Sequence, residues 1–155
     1  MKNPPVLKNL FSLAILLIFS ACSAGTKTPT VNPTEGAQML AGIYTTTISA
    51  EDVSKMESLD PNLAANQGVW KITFTDEGKF NAEKDGQFMA GGEFTVKGNQ
   101  IELYVKQVCT DCVCQEDLGH FYWVQKDDRL GFTKIAGGCE AMRLLLTAHS
   151  ITRQP

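Results

Sequence analysis

Five cysteines carry most of the chemistry that this chain could do. Four stand late, as Cys109-x-x-Cys112-x-Cys114 and Cys139. Thiols so spaced could hold zinc, exchange electrons or form structural disulfides. A four-thiolate zinc site favours two matched Cys-x-x-Cys knuckles, and the sequence has one. A redox pair needs electropositive neighbours that depress the thiol pKa, whereas Asp111, Glu116 and Asp117 surround these cysteines. The expectation is two disulfides, with no metal and no other cofactor. A Cys112–Cys114 bridge would strain the short chain between its ends, which disfavours joining Cys109 to Cys139. Two pairings stay open: Cys109–Cys112 with Cys114–Cys139, which is preferred, and Cys109–Cys114 with Cys112–Cys139. Either long bridge closes a loop of roughly 25 residues, worth about 3 kcal/mol in loop entropy.

Other chemistry is thinly represented. His120 and His149 stand near no pattern for a nucleophile or a metal. No glycine-rich phosphate loop opens a helix. Lysine and arginine are scattered singly rather than clustered, which argues against nucleic acid as a partner. A non-catalytic protein is expected.

The fifth cysteine addresses the chain. Lys2 and Lys8 precede an apolar stretch, Leu10 to Ser20, and Ser20-Ala21 puts two small residues before Cys22. A basic start, an apolar centre of roughly ten residues and a small-residue end make a secretory leader, too short for a span of about twenty. With Cys22 at its end the segment resembles the lipobox of bacterial lipoproteins. That implies cleavage before Cys22, acylation of it, and a protein held by lipid on the extracytoplasmic side of the cell membrane or outer membrane. Residues 1–21 are thus expected as signal peptide and residues 22–38, rich in Thr, Pro and Gly, as lipidated Cys22 and flexible tether. Loss of Lys2 and Lys8 with the leader takes a formal net charge of −3 two units further down.

Residues 39–155 are long enough for one domain with a core. Their rhythm is alternation broken by tight turns, which predicts antiparallel sheet. Strands are expected at Gly42 to Ile48, Val69 to Thr75, Lys79 to Ala82, from Asp85-Gly86 to Val96, Gln100 to Lys106, His120 to Gln125, Leu130 to Ile135, and about Ala141 to Ile151. Asp85-Gly86 is a strong hairpin signal, and Gly91-Gly92 predicts a bulge or bend. Ser49, followed by Glu51 and Asp52, predicts a helix start, and Asp60-Pro61 a second short helix through Ala65. Eight short strands in succession must deal with their edges, and closure removes them. The fold expected is all-β: an eight-stranded antiparallel up-and-down barrel with a short helical insert after the first strand.

Several segments together resemble the lipocalin-like domain of bacterial secreted proteins and lipoproteins. They are Gly42-Ile43-Tyr44, Gly68 to Phe74 with Asp76-Glu77-Gly78, Gly92 to Gly98, Gly119 to Trp123, and Leu144 to His149 with Thr152-Arg153. The resemblance covers roughly Met39 to Arg153 and implies a calycin-type barrel. Cys114 and Cys139 fall where such domains tend to carry a cysteine pair. It also implies an indole at the barrel floor under an arginine, for which Trp70 and Arg143 are the candidates.

Trp70, Phe74, Phe80, Phe94, Phe121 and Trp123 fall mostly on inward-alternating positions. They could line a pocket or merely fill a small barrel. Trp70, Phe80, Phe94, Leu103 and Trp123 are the expected lining for a small hydrophobic or amphipathic ligand. The alternative is a cell-envelope interaction or inhibitor module, in which the acidic loop Asp111 to Asp117 faces a basic protein partner.

Overall fold

In the computed structural model of the chain, residues 33–58, 60–110, 112, 114 and 117–155 are described. The leader, Cys22 and most of the expected tether therefore lie outside the described residues, as do Asp111 and Glu116. Eight antiparallel strands close into a barrel in sequence order. They are β1 (Gly42–Ile48), β2 (Gly68–Phe74), β3 (Lys79–Lys84), β4 (Gln87–Lys97), β5 (Gln100–Val108), β6 (Asp117–Lys126), β7 (Arg129–Gly137) and β8 (Ile151–Arg153). Closure is made where β8 pairs with both β1 and β7. Period-two alternation does what it should: Tyr44 and Ile48, Trp70, Ile72 and Phe74, and Ile101, Leu103 and Val105 all point inward and are buried.

Turn chemistry sets the registers. Asp85 and Gly86 both have positive φ, 50° and 81°, the two-residue hairpin that matches strand twist. The register of β4 against β5 shifts between Gly91 and Gly92, the bulge that the glycine pair predicts. Glycine is required at position 92, since a Cβ there would lie 2.0 Å from the Tyr104 carbonyl oxygen.

Two elements correct the expectations. The last strand was expected over Ala141 to Ile151. Instead α3 (Glu140–Thr147) forms there, and β8 is three residues long. Met142, Leu145 and Leu146 recur at the i, i+3, i+4 spacing of a helix and are buried with Leu144. Cys139 caps the helix, its sulfur accepting from Met142 N. At the other end α1 (Pro33–Leu40) extends the folded unit into the expected tether. Its Ala37 and Leu40 are buried, and it packs on β4.

Helix α2 (Ala50–Lys55) starts at a capping box, with Ser49 Oγ accepting from Asp52 N and Asp52 accepting from Ser49 N. The helix expected after Asp60-Pro61 is a single 3-10 turn, Leu63–Asn66. The disulfides are Cys109–Cys112 and Cys114–Cys139, with Cα separations of 5.1 and 5.7 Å. The second ties the β5–β6 connection to the cap of α3.

The barrel thus has two unlike ends. Helix α1 sits with the β2–β3, β4–β5 and β6–β7 turns. Helix α3 sits with the β1–β2 insert, the β3–β4 hairpin and the disulfides. At the α1 end Arg153 of β8 lies 5.9 Å from the centre of the Tyr44 ring of β1 and donates to Ala41 O. The pair expected of Trp70 and Arg143 is not formed. Arg143 is instead on α3, paired with Glu140.

Candidate functional site

A cavity of about 310 Å³ lies at the α3 end. One wall is the sheet, through Trp70 of β2, Phe80 and Ala82 of β3, Met89 and Ala90 of β4 and Val105 of β5. The opposite wall is α3, through Ala141, Met142 and Leu145. Cys109, Cys112 and Cys114 close one side, and Asn62, Asn66, Lys84 and Gln87 make the polar rim. Apolar walls with a few polar groups at the mouth are the usual form of a small-molecule site, and the volume stands at the lower end of that range. A second void of about 30 Å³ lies deeper, between Ile72, Phe74, Leu103 and Leu146.

The walls are held by specific bonds. Trp70 Nε1 donates to Asn66 O at 2.8 Å, so the indole is fixed against the 3-10 turn with its polar atom satisfied. Lys84 Nζ donates to Ala65 O at 2.5 Å, bridging the hairpin strand to the same turn. Cys112 Sγ lies 3.4 Å from Met89 O, which sets the short disulfide against β4.

Of the expected lining residues, Trp70 and Phe80 face the cavity and Leu103 the deeper void. Phe94 and Trp123 line neither. They belong to the α1 end, where Phe94 packs edge-on against Phe74 at 5.1 Å and Trp123 Nε1 donates to Gly98 O. The cavity therefore opens towards the α3 end, while Phe94 and Trp123 pack at the other. Met89, Met142 and Leu145 were not foreseen as lining. The helical spacing of Met142 and Leu145 was the signal that could have found those two.

One polar cluster invites a catalytic reading. Asp52, the single buried charged residue among those described, accepts from Ser49 Oγ at 2.6 Å and lies 2.8 Å from His149 Nε2. The Ser49 hydroxyl and then the Ser49 N–H hold the Asp52 carboxyl down at about 2, and His149 adds to the effect. In a hydrolytic triad the imidazole lies between hydroxyl and carboxylate. Here the carboxylate lies between, and what the three residues form is a latch joining α2 to the segment after α3.

No three His, Cys, Asp or Glu side chains gather in a metal-binding group among the described residues. No described helix is long and apolar enough to cross a membrane. Comparison with protein-family models, curated proteins and solved structures finds no match.

Proposed function

We propose that this protein is a lipid-anchored, extracytoplasmic lipocalin-like barrel that binds a small hydrophobic or amphipathic molecule without transforming it. The observation that carries the proposal is the cavity of about 310 Å³ between α3 and the β2–β5 wall. Burying an apolar ligand there gains roughly 25 cal/mol for each Å² removed from water. Two disulfides in a domain of this size suit an oxidising compartment, in keeping with the leader and Cys22. A hollow α3 end favours a ligand over the alternative of a loop-borne inhibitor, for which a packed interior would serve as well.

Filling the cavity tests the proposal. Ala82 lines both the cavity and the deeper void. Ala82→Leu is expected to weaken saturable binding of an apolar fluorescent probe at least tenfold while leaving the thermal midpoint unchanged or raised. Undiminished binding in a folded Ala82→Leu protein would place the probe elsewhere, and absence of saturable binding by the parent protein would refute the function.

A further inference from the structure

Lys84 is the one charged side chain among the described residues that line the cavity. Lys55, Lys71, Lys79, Lys97 and Lys106 each pair with a glutamate. Lys84, like Lys126 and Lys134, has no carboxylate partner among the described residues. Its one hydrogen bond there goes to Ala65 O, a neutral carbonyl. An ammonium group has three N–H donors, so two remain for a ligand. Asp85, next in sequence, has its carboxylate turned to Val69 N at 3.0 Å. Gln87, opposite Lys84 across the hairpin, adds an amide donor to the same rim.

We propose that the cavity selects amphiphiles with a compact apolar body and a single carboxylate head, and that Lys84 Nζ binds the head. This rests on the ligand-binding function proposed above and adds the chemical class of the ligand. The head would sit at the rim, where the ammonium is held by Ala65 O, while the body lies between Trp70, Phe80, Met89 and Leu145. At about 30 Å³ per water-sized unit the cavity holds about ten such units. Octanoate is of that size. A charge-assisted hydrogen bond to the head is the interaction that a neutral alcohol of equal length cannot make.

The test is calorimetric titration of the full chain carrying Cys22→Ser, with octanoate and 1-octanol as ligands, beside its Lys84→Met and Lys84→Arg variants. Octanoate is expected to bind the parent about tenfold tighter than octanol. Lys84→Met should abolish that preference, and Lys84→Arg should retain it. Octanol bound as tightly as octanoate by the parent, or a preference unchanged in Lys84→Met, overturns the role of Lys84 and leaves the cavity function standing. Failure of both ligands to bind a protein that does take up the apolar fluorescent probe also overturns the proposed ligand class. Failure of all three overturns the cavity function itself.

Discussion

Asp52 shows how much one side chain can hold together here. Its carboxylate completes the α2 capping box and meets His149 beyond α3, so α2 and the segment after α3 share one anion. Because its pKa is lowered from the usual 3.8 to about 2, the unfolded state takes up the proton first. The stabilisation is complete above the ordinary carboxylate range and is lost as pH falls through about 4 towards 2. Asp52→Asn is expected to lower the urea midpoint at neutral pH, by an amount typical of a lost helix cap, about 1 kcal/mol. The difference between variant and parent should shrink as pH drops to 2. A gap that stays constant over that range would show that the carboxylate charge contributes nothing.

At the scale of elements, the Cys114–Cys139 bridge and α3 act as one unit, since Cys139 is both disulfide partner and helix cap. Cys114→Ser with Cys139→Ser is expected to cost about 3 kcal/mol, judged from the 25-residue separation. The Cys109→Ser, Cys112→Ser pair, closing a much shorter loop, should cost about 2 kcal/mol or less. Chemical denaturation of the two double variants checks the order, and a larger loss from the short bridge would contradict it. These elements were not equally legible in the sequence. The strands from β1 to β7 were plain because β-branched and aromatic residues alternate there between turn signals. Helix α3 was hidden because Met142, Leu144 and Leu146 also alternate, and only Leu145 breaks the strand pattern. Helix α1 was hidden by the polar residues around it, although Ala37 and Leu40 lie on one face and are buried. Alternation also says which way a side chain faces but not how far along the barrel axis it sits. Hence Trp70 and Phe80 were found at the cavity, while Phe94 and Trp123, equally inward, proved to line neither void.

The whole molecule has its cavity and its point of chain entry towards opposite ends of the barrel. Helix α1, through which the chain enters the barrel, packs at the end away from the cavity. If Cys22 carries acyl chains, the eleven residues from there to Pro33 allow at most about 40 Å between the anchor and α1. Metabolic labelling with a palmitate analogue is expected to mark the parent protein and not Cys22→Ser. Equal labelling of both would remove the anchor from the account.

The two tryptophans can locate the ligand directly, because Trp70 lines the cavity and Trp123 lies at the opposite end. Each can be isolated by replacing the other with phenylalanine and titrated with 8-bromooctanoate, whose bromine quenches indole at close range. Saturable quenching of Trp70 in Trp123→Phe, with Trp123 in Trp70→Phe left bright, is the result expected of a ligand seated between α3 and the β2–β5 wall. Equal quenching of both indoles, or none that saturates, would contradict it.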